Sequence, residues 1–157
     1  CHLVKEYVWL SYHAMRANHK NFNIAIHEQY EEGMPMMMVI PQDLSRAVLN
    51  VMNNAFYAVW KKTQVQPESF HPEVNISVST AKGNIVISMS DNGEGMTDEV
   101  KQRLFENFFT TKPVGQGTGL GMSIIRDIVE NKHGGKITFD SLEGEGTTFT
   151  FTIPIKK

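Results

Sequence analysis

Gly115-Gln116-Gly117-Thr118-Gly119-Leu120-Gly121 places a glycine at every second position. It runs directly into Met122-Ser123-Ile124-Ile125-Arg126-Asp127-Ile128-Val129, an amphipathic helix pattern. Alternating glycines let backbone N–H groups come close to a ligand. The helix that follows aims its unpaired N–H groups and the positive end of its dipole at the same place. Together these features bind anions, and phosphate above all. A flexible linker is the simpler reading of a glycine run, but linkers rarely lead straight into an amphipathic helix.

The rest of the chain supplies a domain around this stretch. Its 157 residues suit one domain with a core, and 41% hydrophobic with 20% charged residues is a globular composition. Fifteen basic against seventeen acidic residues leave a net charge of −2, which gives no support to nucleic-acid binding. No apolar run is long enough for a helical membrane span, and no signal peptide is visible. The single cysteine, Cys1, excludes an internal disulfide and fits a reducing compartment. Because the chain starts with Cys rather than Met, it reads as an excised piece of a longer protein.

The periodicity predicts a helix over 3–20, with Leu3, Tyr7, Leu10 and Ala14 as a stripe able to pack on another helix. Residues 21–30 alternate as a strand, and 36–40 form a short apolar strand ended by Pro41. A long helix is expected over 42–62, with Asp43 as cap or first-turn anion. A proline-bearing loop over 63–73 leads to strands 74–81 and 85–90, joined by Lys82-Gly83-Asn84. A short helix runs from Thr97 to Leu104, and a longer one from Gly119 to Lys132, stopped by Gly134-Gly135. Strands 136–141 and 147–153 close the chain around Glu143-Gly144-Glu145-Gly146. The expected fold is α+β: a two-layer α/β sandwich, with about three main helices over a mixed, mostly antiparallel sheet.

Four further segments carry chemistry. Asp91-Asn92-Gly93-Glu94-Gly95-Met96 follows a strand directly. It can be a tight turn alone. It can also place a carboxylate to accept the exocyclic amine of adenine, where guanine presents a carbonyl, while Gly93 and Gly95 let the base lie on backbone. Asn50 and Asn54 share one helix face at i, i+4, within Leu49-Asn50-Val51-Met52-Asn53-Asn54-Ala55. Surface asparagines are common, but three poor helix formers in five residues call for a reason, and an amide oxygen is a hard ligand suited to Mg²⁺. In Leu104-Phe105-Glu106-Asn107-Phe108-Phe109-Thr110-Thr111-Lys112, Phe105 reads as core. Lys112 is a point charge for a phosphate, and 97–115 reads as a lid. Gly144-Glu145-Gly146-Thr147-Thr148-Phe149 is a turn in which a threonine hydroxyl could share a water with Asp91 and the base.

Taken in this order, the five segments resemble the ATP-binding domain of sensor histidine kinases in the GHKL (Bergerat-fold) superfamily. Leu49–Ala55 is similar to the N box, Asp91–Met96 to the G1 box and Leu104–Lys112 to the F box. Gly115–Gly121 is similar to the G2 box, and Gly144–Thr147 to the final glycine-threonine motif. The resemblance spans about Asn21 to Pro154. It implies Mg²⁺ on Asn54, Asn50 facing the phosphates, and the adenine amine on Asp91, backed through water by Thr147. Gly93, Gly95 and Met96 would line the base, and Phe108 would border the lid. Gly117, Thr118, Gly119, Leu120 and Gly121 would surround the phosphates, and Lys112 would hold lid or phosphate. The lid is most similar to that of nitrogen-regulation kinases.

Two departures stand out. Many members carry Lys or Arg three residues after the Mg²⁺-binding Asn. Tyr57 stands here, leaving Lys61 or Lys62, one turn on, as substitutes. None of His2, His13, His19, His27, His71 or His133 sits in a phosphoacceptor box, and His13 reads as a surface or packing residue. The resemblance therefore implies 1–20 as an exit helix from a missing dimerisation and phosphoacceptor domain, and 21–157 as the catalytic domain. It implies Mg²⁺ and ATP as ligands and a response-regulator receiver as downstream partner. It further implies a monomeric fragment of a homodimer, and a cytoplasmic location within a membrane-bound or cytoplasmic bacterial sensor. No catalytic residue is identified in the chain. The rival readings are a GHKL-type ATPase, an anti-sigma-like serine kinase and a non-catalytic nucleotide sensor. Such ATPases carry Glu four residues before the Mg²⁺-binding Asn, where Asn50, which cannot take a proton, stands here.

Overall fold

A computed structural model describes residues 8–10, 12–13, 24–30, 41–65, 70–103 and 121–154. In chain order these give β1 (Ala25–Tyr30), α1 (Pro41–Val65), β2 (Glu73–Ala81), β3 (Asn84–Asp91) and α2 (Asp98–Arg103). Then follow α3 (Gly121–Arg126), a π-helical segment (Asp127–Lys132), β4 (Lys136–Leu142) and β5 (Gly146–Pro154). The predicted strand over 36–40 lies outside the described residues.

The described strands form a mixed sheet in the order β1-β2-β3-β5-β4. β1 pairs parallel with β2, and the other neighbours are antiparallel. A parallel pair needs a long crossover, and α1 supplies it. The β2–β3 connection is a two-residue turn with positive φ at both Lys82 (51°) and Gly83 (79°), the twist that a tight hairpin favours. Asn84, expected in the turn, is the first residue of β3.

Alternation decides which side of the sheet is buried. Val74, Ile76 and Val78 of β2, Ile85, Ile87 and Met89 of β3, and Phe149, Phe151 and Ile153 of β5 all point one way, into the core. The opposite side carries Asn75, Ser77, Ser88, Ser90, Thr148 and Thr150, none of them buried. α1 covers the apolar side with Leu44, Ala47, Val48, Val51, Met52, Ala55, Phe56 and Val59, all buried. Their spacing of three and four marks one stripe of a 3.6-residue helix. The helix outlasts its prediction and ends at Val65.

Near the N-terminus, Val8–Leu10, Tyr12 and His13 are helical. Val8 is fully buried and Tyr12 packs on Phe56 at 5.8 Å between centroids, whereas Leu10 of the predicted stripe is 51% exposed. His13 is exposed and lies beside the Trp9 and Tyr12 rings, as a surface or packing residue should.

The helix expected over 119–132 needs a correction. It is α-helical from Gly121 to Arg126 and then widens into a π-helix over Asp127–Lys132. Its last carbonyls find partners beyond the α-helical step. The His133 ring Nδ1 lies 2.9 Å from Ile128 O, five residues back, and the Gly135 amide donates to Val129 O, six residues back. Both separations exceed the four-residue step of an α-helix. Lys132 also pairs with Asp43 at 3.2 Å, tying this segment to the first turn of α1.

Candidate functional site

β3 carries Ile85, Ile87 and Met89 inward, and the next position in that phase is Asp91. β5 carries Ile153, Phe151 and Phe149 inward, and its next position is Thr147. β4 adds Ile137 and Phe139, and its next position is Ser141. Asp91 pairs with Thr147, and Thr147 with Ser141, in the strand register. Three adjacent strands thus place a polar side chain at one end of an otherwise apolar surface. A carboxylate in a core position is costly unless it has partners.

Asp91 has them. Its Oδ1 accepts the Gly93 amide at 2.9 Å, and the Thr147 amide also donates to the carboxylate. Burial nonetheless dominates and pushes the Asp91 carboxyl up to about 7, against the two amides and the Lys62 charge, which pull it down. When ionised, this carboxylate has lone pairs beyond those taken by the two amides and can accept a further N–H from a ligand.

The loop after Asp91 is fixed by close packing. Asn92 clips it to the segment before β2: its side chain donates to His71 O at 2.9 Å and accepts the Glu73 amide at 2.8 Å. Gly93 is buried against α1, where an added Cβ would stand 2.7 Å from the backbone carbon of Ala58. The Met96 amide donates to Ser141 Oγ at 2.8 Å, and Ser141 donates to Gly146 O at 3.1 Å. The Ser141 and Thr147 hydroxyls are 2.8 Å apart. Ser141→Ala leaves the Met96 N–H without this acceptor. The variant should lose about 1–2 kcal/mol of stability in urea titration, and an unchanged midpoint would contradict the role given to this hydroxyl.

Asn50, Asn54, Ala58 and Lys62 follow one another at i, i+4 on α1, so they share one side of the helix. Ala58 touches Gly93, and the Lys62 ammonium reaches the backbone of Asn92, Gly93 and Gly144. The Asp91 loop therefore docks on the same stripe that carries the two asparagines, both half-buried. The expectation that Lys61 or Lys62 replaces the missing phosphate contact at position 57 meets two obstacles. Lys62 is bound to these carbonyls, and Lys61 pairs with Glu94 at 3.8 Å. At 1.5 Å per residue, Lys62 also lies roughly 18 Å along the helix from Asn50.

The structure thus brings together Asp91, Gly93, Gly95, Met96 and Thr147, with the Asn50–Asn54 stripe alongside and Gly121 as the first residue of α3. Phe108, Lys112, Gly117, Thr118, Gly119 and Leu120 lie outside the described residues. The sequence reading passed over Ser141, Asn92 and Ala58. Ser141 had a signal, the inward phase of Ile137 and Phe139. An open groove of about 760 Å³ also occurs on the sheet, lined by His27, Asn75, Ser77, Ser88 and Ser90 among others. Those side chains alternate away from Asp91, so the groove is separate from this site.

Comparisons with known proteins give the family and the fold. Residues 39–157 match the family model described as "Histidine kinase-, DNA gyrase B-, and HSP90-like ATPase". The sensor histidine kinase ZraS of Escherichia coli K12 is 33% identical over 122 residues, 78% of this chain and 24% of its own length. WalK of Bacillus subtilis is 34% identical over 140 residues, 83% of this chain and 21% of its own. The chain therefore spans about a quarter or less of the curated relatives it matches. The solved catalytic domain of the histidine kinase ThkA, in a nucleotide-free form, superposes with a TM-score of 0.74 at 25% identity, covering 98% of this chain and 95% of that one. The chain is homologous to sensor histidine kinase catalytic domains and belongs to the histidine kinase-, DNA gyrase B- and HSP90-like ATPase family.

Proposed function

We propose that the chain is the ATP-binding catalytic domain of a two-component sensor histidine kinase. The observation that carries the reading is Asp91: a half-buried residue at the polar end of the core, its carboxyl desolvated, with two backbone amides donating to it and a glycine-bearing loop beside it. Adenine offers an exocyclic amine to such a group, and guanine offers a carbonyl that it repels. Gly93, Gly95 and Met96 border the base, and Thr147 backs Asp91 from β5. The run Gly117–Gly121 receives the phosphates at the start of α3, with Phe108 and Lys112 on the lid.

Asn54 offers a half-buried amide oxygen, a hard neutral donor that fits Mg²⁺ when phosphate and water supply most of its shell. Asn50 lies one turn away, toward the phosphates. The cation would neutralise charge on the transferred phosphoryl group. The chain itself contributes binding and orientation: it holds the base at Asp91 and keeps water near the phosphates from meeting a general base. Asn50 stands where related ATPases carry Glu, and an amide takes no proton, so the γ-phosphate is kept for a histidine on an adjoining dimerisation domain. An aspartate on a response regulator receives it next.

Calorimetric titration with a non-hydrolysable ATP analogue, with and without Mg²⁺ and beside a GTP analogue, tests the reading. Mg²⁺-dependent binding of the adenine nucleotide alone is expected. Equal binding of both nucleotides, or binding of neither, would overturn it.

A further inference from the structure

Lys62 lies in the last turns of α1, and its ammonium sits among three backbone carbonyls. These are Gly144 O at 2.8 Å, Asn92 O at 3.3 Å and Gly93 O at 3.5 Å. The Phe70 ring lies below it, 4.6 Å from nitrogen to centroid. An ammonium has three protons, and three carbonyls meet them. Two belong to the loop after Asp91, and the third belongs to the turn between β4 and β5, 82 residues away in sequence. Converging carbonyl dipoles repel one another unless a cation stands between them, so the turn and the loop need this charge to stay closed. The same closure is helped by the Gly144 amide, which donates to Glu94 O.

We propose that Lys62 is a positioning residue for nucleotide binding, one that clamps the β4–β5 turn against the Asp91–Gly95 loop and touches no phosphate. The proposal rests on the nucleotide reading above and adds to it a residue that acts on the base end through the backbone. Its geometry sets it apart from a phosphate lysine. The ammonium is held at the Asp91 end of the stripe, and Asn54 is roughly 12 Å back along the helix at 1.5 Å per residue. Methionine at position 62 keeps an unbranched stem over Phe70 and removes the charge and its donors; because that charge also favours the ionised Asp91, the titrations are run near pH 9, where Asp91 is ionised in every variant. Arginine keeps the charge and offers more donors.

The test titrates the parent chain, Lys62→Met and Lys62→Arg with three Mg²⁺-loaded or free adenine nucleotides: the non-hydrolysable ATP analogue, ADP and AMP. A clamp at the base end predicts that Lys62→Met weakens all three by the same factor, roughly tenfold. Lys62→Arg should restore most of that loss. A penalty that grows with the number of phosphates overturns the proposal, because it marks a direct phosphate contact. Unchanged affinity for all three overturns it as well. If Lys62→Met is too unstable to titrate, Lys62→Gln gives the same comparison with a neutral donor in place. A parent chain that binds none of the three nucleotides defeats the nucleotide reading itself, and is thereby distinguished from failure of the clamp.

Discussion

An Asp91→Asn variant is expected to lose the ATP analogue and, at pH 8, to melt above the parent chain. The carboxylate accepts every donor around it: the Gly93 amide, the Thr147 amide and the incoming adenine amine. An asparagine must turn its NH₂ toward one of them, so one donor faces another whichever way the amide is set. The affinity loss should be roughly 10- to 100-fold, the worth of a hydrogen bond to a charged group.

The stability gain follows from linkage. The Asp91 carboxyl ionises near 7 in the folded chain against an ordinary 3.8, because it is buried. Between those values the folded state holds a proton that the unfolded state has lost, so stability rises as pH falls from about 7 toward 4. Above 7 the full penalty of the buried charge is present, on the order of 4 kcal/mol by the constant of 1.36 kcal/mol per pH unit. Asparagine escapes that penalty and forfeits one hydrogen bond. A net gain of about 1–3 kcal/mol is expected at pH 8, shrinking toward nothing near pH 4. Thermal melts of both chains from pH 4 to 8 check this, and parallel curves would show that the carboxyl is not desolvated. In the parent, analogue affinity should also fall below pH 7, where the carboxyl gains its proton and stops accepting from the base.

The second large effect lies in the β4–β5 turn, and it discriminates between two glycines only two residues apart. Gly146 has φ +134° and faces the Asp91 carbonyl so closely that a Cβ there overlaps it. Gly144 has φ +83°, with open space where its Cβ would be. Gly146→Ala therefore combines a forbidden backbone angle with a clash against the strand that presents Asp91, and should cost more than about 3 kcal/mol. Gly144→Ala carries only the left-handed penalty, about 1 kcal/mol. Paired urea titrations measure the difference. Equal costs would mean that backbone angle alone decides, and that the close packing of β3 on β5 at this point is unimportant.

Much of this architecture is written in local patterns. The repeated spacing of three and four from Leu44 to Val59 marks α1, and the alternation through Ile85, Ile87 and Met89 marks an inward face. That alternation, followed one step further, leads to Asp91, and the same step on β5 and β4 leads to Thr147 and Ser141. The polar end of the core was therefore legible as a break in three hydrophobic series. Lys62 was not. Its partners lie 30 to 82 residues away, and all are backbone carbonyls, which leave no trace in side-chain pattern. The π-helical segment was hidden because Ile125, Ile128 and Val129 fit an α-helix equally well.

β1 has a particular mechanical standing. Among the described strands it stands at the edge of the sheet, it has no fully buried residue, and it reaches its neighbour through the crossover that contains α1. The Trp9 indole donates to Glu28 on this strand at 2.7 Å, and the Tyr30 hydroxyl steadies the same carboxylate at 3.2 Å. The N-terminal helical residues are thus fastened to the strand with the fewest core anchors. A pull on those residues would load β1 and its pairing with β2 before it reached the antiparallel strands. The antiparallel block that holds Asp91 would stay shut.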